Sequence, residues 1–320
     1  MIQLTRIFLL SLLLLSCSKK VEYIDKKVNI NIVPLAKKVD VIEPNKHILL
    51  PKKIRVFIDS NEKENLFDLI SKDFKKLSFS NSFELITNKN RSNLSLEIDK
   101  ELDEEEYEIA VDNKIVIKGG SLSAIKMARS TLLQLSENDK GRIIFPIINL
   151  RDSPDAAYRG LLIDLARKWH KVETIYKLID LASFYKLNYL QFHLTDDQLF
   201  TFPSENFPKL QTKDKHYTKQ ELLSFVDYAY QRGVVIVPEI DVPGHSMQFV
   251  KKYPEIFSIS NAESGGEDLF GGRVDFVNVL NMGKEEVYTS LEKLFVEVMD
   301  IFYTSPYFHL GADEANLKLI

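Results

Sequence analysis

The sequence predicts an α/β chain in two parts: a small α+β domain followed by the first four strands of a (β/α)8-type barrel. Three observations lead there. Residues 28–150 mix short strands, one hairpin and two helices without a regular repeat. Beyond Asp155, strand and helix alternate, the order that places parallel strands in one sheet. Each of the four strands in that second part ends in ionisable side chains, as in barrels whose chemistry sits on the C-terminal face.

Taken in order, the chain begins with Arg6 and an apolar run from Ile7 to Leu15, broken only by Ser11. That run is too short to span a bilayer and reads as an export signal over residues 1–16. Leu14-Leu15-Ser16-Cys17 resembles a bacterial lipoprotein processing box. The resemblance implies cleavage before Cys17, lipid on its thiol and anchoring at the cell envelope, with residues 17–27 as a tether. An uncleaved or soluble secreted form is the alternative. Cys17 is the only cysteine, so no intrachain disulfide can form. With 28% charged residues and a net charge of −4, nothing points to nucleic acid as a partner. The acidic run from Asp99 to Glu108 reads as a solvated loop.

In the first domain, Ile54 to Ile58 reads as a strand and Asn61 to Leu77 as an amphipathic helix. Phe83 to Thr87 and Leu94 to Ile98 are further strands. Tyr107 to Val111 and Ile115 to Ile117 flank Asp112-Asn113-Lys114, a hairpin signal, and Ser121 to Leu135 is a helix. Nothing here has metal-ligand or phosphate-loop spacing. Arg151-Asp152-Ser153-Pro154-Asp155 reads as a polar boundary, and the barrel strands and helices occupy residues 151–320.

The second part opens with strand Gly160 to Ile163, helix Val172 to Tyr185 and strand Tyr189 to Leu194. Thr218 with Glu221 three residues on is a capping box, and Gly233 closes the helix it opens. Val234 to Ile240 is an apolar strand, Glu285 to Phe302 a long helix, and Tyr307 to Leu310 the fourth strand. At the strand ends lie Asp164 and Arg167, then His193 with Asp196 and Asp197, then Glu239, Asp241 and His245, then Asp313 and Glu314. Like charges side by side repel, so an adjacent carboxylate doublet such as Asp313-Glu314 is costly unless solvated or put to use.

Five segments in order resemble family 20 glycoside hydrolases, the β-N-acetylhexosaminidases. They are Tyr158 to Asp164, Lys186-Leu187-Asn188, His193 to Gln198, Val237 to His245 and His309 to Glu314. The resemblance runs from about Tyr107 to Asn316, and the first domain looks like the family's accessory domain. It implies retaining, substrate-assisted hydrolysis of terminal β-linked N-acetylglucosamine or N-acetylgalactosamine, without cofactor or metal. Neighbouring carboxylates suit that route, because acids that flank a sugar stand roughly 5–9 Å apart. By resemblance Glu314 is the general acid and base, and Asp313 orients the 2-acetamido group as its oxygen attacks the anomeric carbon. Arg159 matches a sugar-gripping arginine, Asp196 and Asp197 match paired acids, and His245 lies near the proton donor. His193 is as open to a structural as to a functional reading, and Glu239 and Asp241 support the others.

Two departures follow. Leu199, Phe200 and Thr201 stand where many relatives have tryptophan and arginine, which predicts an altered pocket rim. The loop Asn261 to Gly272 reads as a flexible rim. A (β/α)8 barrel needs eight strands and about 250 residues, whereas residues 155–320 supply four. The expectation is an N-terminal part of a longer hexosaminidase, unstable and inactive by itself. A glycan-binding lipoprotein without catalysis and a disaccharide-releasing relative remain alternatives, and sugar epimer and oligomeric state stay open.

Overall fold

Alternation drives the first region. Ile54, Val56 and Ile58 point inward from β4 (Lys53–Asp59) while their neighbours stay partly solvated. The computed structural model describes residues 21–259, 266–267, 273–274 and 278–315. Three strands precede β4: β1 (Glu22–Asp25), β2 (Lys38–Val41) and β3 (Lys46–Leu49). After it come α1 (Lys63–Lys76), β5 (Ser82–Ile86), β6 (Leu94–Ile98), β7 (Tyr107–Val111), β8 (Ile115–Gly119) and α2 (Leu122–Leu135). The region closes with β9 (Glu137–Asp139), β10 (Arg142–Pro146) and β11 (Ile148–Asp152).

A seven-stranded mixed sheet has the order β2-β11-β7-β8-β6-β4-β5, and a four-stranded antiparallel sheet has the order β1-β3-β10-β9. The expected hairpin is present, with Val111 opposite Ile115. Two sequence readings change. Residues 22–25 of the expected tether form β1, because their backbone pairs with β3 and Arg142 bonds Glu22. Arg151 and Asp152 of the expected boundary belong to β11, paired on both sides.

The second region has β12 (Gly160–Asp164), α3 (Val172–Phe184), β13 (Tyr189–His193), α4 (Lys219–Gln231) and β14 (Val235–Glu239). Two short helices follow, α5 (Met247–Lys252) and α6 (Pro254–Phe257). A two-residue ladder, β15 (Gly266–Glu267) with β16 (Arg273–Val274), precedes α7 (Glu285–Ile301). The capping box at Thr218 forms, and Gly233 has φ +77°, a conformation open to glycine at no steric cost. β12, β13 and β14 are parallel in that order. Tyr307–Leu310 runs beside β14 without forming a ladder: only His309 makes a bridge, to Glu239. Its backbone is nonetheless held, since His309 N–H donates to Pro238 O and Val242 N–H to Leu310 O.

Each region has its own apolar core, and α1 and α2 lie between the large sheet and α3 and α4. The seam is polar and buried. The Arg129 guanidinium donates to Asp73, Ser130 and Ser183, and Ser183 Oγ donates to Arg232 O. Nearby, Lys186 Nζ bonds both Asp152 and Tyr107 OH. Such side chains are stable inside only because each finds polar partners, although Arg129 Nε itself has none among the described residues. No described helix is long and apolar enough to cross a membrane. Cys17 and the export signal lie outside the described residues, as does most of the expected Asn261–Gly272 rim.

Candidate active site

The C-terminal ends of β12, β13 and β14 bring Asp164, His193 and Glu239 side by side, because the register pairs Asp164 with His193 and His193 with Glu239. Three consecutive parallel strands thus deliver one ionisable group each to a single rim. Asp196 lies beneath it, with 1% of its side chain exposed. Its oxygens face His193 Nε2 at 3.0 Å, Arg167 Nη2 at 2.9 Å and His245 Nδ1 at 3.5 Å.

The charges follow from these contacts. Burial pushes Asp196 up, but hydrogen bonds from His193, His245 and the Asp197 N–H outweigh it and hold the carboxyl well below the usual range. Burial pulls His193 down, yet bonds to Asp196 and Glu239 raise it to about 10. The bond to Asp196 raises His245 to about 9 despite burial. Burial also opposes the charge on Glu239, and its bonds from His193 and Gln191 keep it ionised. Asp241 is different: burial raises it to about 7, with His245 opposing and Asp313 adding to the rise.

Asp313 and Glu314 stand on the loop after His309, with side-chain exposures of 65% and 46%. His245 Nε2 lies 3.2 Å from Glu314 Oε2 and 4.0 Å from Asp313 Oδ2. Neighbouring strand side chains face opposite ways, so bringing both carboxylates to one imidazole requires a bend. Gly311 and Ala312 supply it with φ +64° and +66°, and Glu314 has φ +49°. A Cβ on Gly311 would come 2.1 Å from Asp241 Oδ1, so the close approach also demands glycine. The Ala312 N–H donates to that same oxygen at 3.1 Å. Left-handed alanine and glutamate cost about 1–3 kcal/mol each, a cost borne at sites where the turn itself is required.

Other expected residues fall differently. Arg159 precedes β12, at the opposite end of a five-residue strand roughly 16 Å long. Its guanidinium pairs with Glu105 at 2.9 Å and donates to Lys186 O, fastening the domain seam rather than facing the rim. Arg167 occupies the rim instead, gripped by Asp164 and Asp196. The sequence marked Arg167 by its place just past a strand end, but motif matching favoured the other arginine. Asp197 accepts from Met247 N–H and Asn278 Nδ2, so it fastens the turn carrying His245. Asn278 had no signal in the sequence. Leu199, Phe200 and Thr201 are buried in the core and not on the rim, with Thr201 Oγ1 donating to Leu194 O. Trp169 packs against Tyr217.

Three groups bring possible ligand atoms within 4.8 Å: His193 with Glu239 and Asp241, Asp196 with Asp197 and His245, and Asp241 with His245 and Asp313. Each could hold a cation by geometry alone. In the first group both His193 nitrogens already face carboxylates, Asp196 and Glu239; in the other two His245 Nδ1 faces Asp196 while its Nε2 makes no hydrogen bond among the described residues.

A carboxylate pair beside an imidazole, at the ends of parallel strands, is an arrangement able to do acid–base chemistry on an α/β scaffold. Residues 157–319 match the glycosyl hydrolase family 20 catalytic domain, and residues 29–153 match the same family's domain 2. The chain belongs to glycosyl hydrolase family 20. It is 32% identical over 235 residues to a β-hexosaminidase of Vibrio furnissii, covering 67% of this chain and 38% of that protein. It is 32% identical over 214 residues to a β-hexosaminidase of Akkermansia muciniphila, covering 62% of this chain and 42% of that one. Among solved structures, a Vibrio harveyi exo-β-N-acetylglucosaminidase in complex with N-acetylglucosamine superposes with a TM-score of 0.80 at 26% identity, covering 92% of this chain and 49% of that one. A Flavobacterium johnsoniae chitobiase gives 0.75 at 30% identity, covering 90% and 45%. The chain therefore spans less than half the length of each of these relatives.

Proposed function

We propose that this chain is the N-terminal part of a retaining β-N-acetylhexosaminidase that removes terminal β-linked N-acetylglucosamine or N-acetylgalactosamine from glycans or chitooligosaccharides. The observation that carries the reading is the approach of His245 Nε2 to both Glu314 and Asp313. Glu314 protonates the glycosidic oxygen and later takes a proton from water. Asp313 orients the acetamido group as its oxygen attacks the anomeric carbon, then faces the positive charge that develops. That charge needs a fixed anion beside it, and the adjacent carboxylate supplies one without acting as nucleophile. His245 Nε2, 3.2 Å from Glu314 Oε2, holds that carboxyl in place beside the sugar. Arg167, with several donors on one plane, takes the role expected of Arg159 and grips sugar hydroxyls. Asp196 and Asp197 fix His193, Arg167 and the His245 turn.

The reading includes a half barrel completed by further strands. Leu161 and Leu162 alternate across β12, yet both are about half exposed, so both faces of this edge strand lie open. That is a state a closed barrel does not tolerate. It also includes export and anchoring at the bacterial envelope through lipid on Cys17. Glu314→Gln in the complete polypeptide tests the chemistry: it abolishes hydrolysis of a chromogenic β-N-acetylglucosaminide and spares ligand binding. Equal loss of binding, or retained turnover, refutes it. Ordinary turnover by residues 18–320 alone would refute the half-barrel part. Cys17→Ser moves the protein from the membrane to the soluble fraction, and a variant that stays with the membrane refutes the anchor.

A further inference from the structure

Six of the ionisable groups of the site form an alternating chain. From Glu314 it passes to His245 at 3.2 Å, to Asp196 at 3.5 Å, to His193 at 3.0 Å, to Glu239 at 3.1 Å and to His309 at 3.4 Å. His309 returns the chain to its start. Its Nδ1 accepts the Gly311 N–H at 3.0 Å, three residues before Glu314. One nitrogen cannot both accept from Gly311 and donate to Glu239, and the surroundings decide between them. Glu239 has nearer partners than His309, His193 Nδ1 at 3.1 Å from its Oε1 and Gln191 Nε2 donating to its Oε2 at 2.6 Å, against 3.4 Å for His309 Nδ1. The Gly311 N–H has this imidazole as its acceptor. Nδ1 is therefore the bare nitrogen, and the proton sits on Nε2.

We propose that His309 is a positioning residue: with Nδ1 as acceptor, its imidazole latches the Gly311 amide and so sets the left-handed turn that brings Asp313 and Glu314 to one pocket. Two acceptors hold that turn from opposite sides. His309 takes the Gly311 N–H and Asp241 takes the Ala312 N–H. Both successive residues have positive φ, a conformation that persists only where its surroundings enforce it. His309 acts through the loop and has no part in proton transfer to the sugar.

The proposal rests on the glycosidase reading for its kinetic test and on none of it for its spectroscopic test. In the complete polypeptide, His309→Ala is expected to lower kcat by about ten- to hundredfold, since small misplacement of reacting groups is costly, while KM changes less than about threefold. His309→Asn places an amide oxygen where Nδ1 stood and keeps kcat within about threefold of the parent. Equal losses in the two variants, or none in either, overturn the latch. A parent polypeptide without any turnover refutes the glycosidase reading instead. The imidazole nitrogen shifts of His309 in the parent then decide: an unprotonated Nδ1 near neutral pH supports the latch, and a protonated one overturns it. The same measurement decides if His309→Ala fails to fold.

Discussion

Asp196→Asn removes one negative charge from the centre of the site and almost nothing else. Asparagine keeps the volume and an oxygen able to accept the Asp197 N–H. It takes away the anion that faces His193, His245 and Arg167 with 1% of its surface exposed. Raising His245 from an ordinary 6.5 to about 9 corresponds to ~3 kcal/mol of differential interaction. A raised imidazole contributes stability that is fully present below its unfolded pKa and is lost as pH rises through its folded one. Here the loss runs through about 9 for His245 and about 10 for His193. The depressed Asp196 carboxyl acts at the other end, adding stability above its ordinary 3.8 and losing it as pH falls. The variant should therefore be about 3 kcal/mol less stable than the parent near neutral pH, within the range for breaking a buried ion pair. The deficit should shrink to roughly 1 kcal/mol above about pH 10, where both imidazoles are neutral. Urea unfolding of both proteins at the two pH values measures it. An equal deficit at both would refute the reasoning, since packing defects do not titrate.

Three further outcomes are expected. Gly311→Ala meets a carboxylate oxygen at 2.1 Å and a φ of +64°, so it should cost about 1–3 kcal/mol in thermal unfolding and lower kcat more than it raises KM. Asp241→Asn should stabilise the fold above about pH 7 by up to ~4 kcal/mol and leave it unchanged near pH 4, because a carboxyl raised from 3.8 to about 7 costs the fold more as pH climbs between those values; a melting-temperature difference independent of pH would count against this. Arg129→Leu strands Asp73 in the buried seam and should cost about 3–5 kcal/mol. Faster limited proteolysis between β11 and β12 would accompany that loss, and an unchanged denaturation midpoint would show that the seam contributes little.

Much of the second region was legible because its signals are local. The Thr218 capping box, Gly233 and the apolar run of β14 each depend on neighbours a few residues away. The first region was harder. β1, β3, β9 and β10 are three to five residues long and lack a clear apolar alternation, and β2 and β11 alternate only over four or five residues, so their partners are what make them strands. Phe200 and Thr201 illustrate the same limit: identity at two positions does not reveal that the chain turns both inward.

The sequence by itself determined which residues can do chemistry, namely the Asp313-Glu314 doublet and the ionisable groups past each strand, because side-chain type and the two-residue period of strands are written in the chain. Tertiary structure alone decided their company. It placed Arg159 at the far end of β12 against Glu105 and brought Arg167 to the rim against Asp196. It also seated Asn278 on Asp197 and returned His309 to Gly311. The physical reason is that a parallel strand carries its two ends to opposite sides of the sheet, and the pairing register, set by contacts distant in sequence, chooses which groups share a rim.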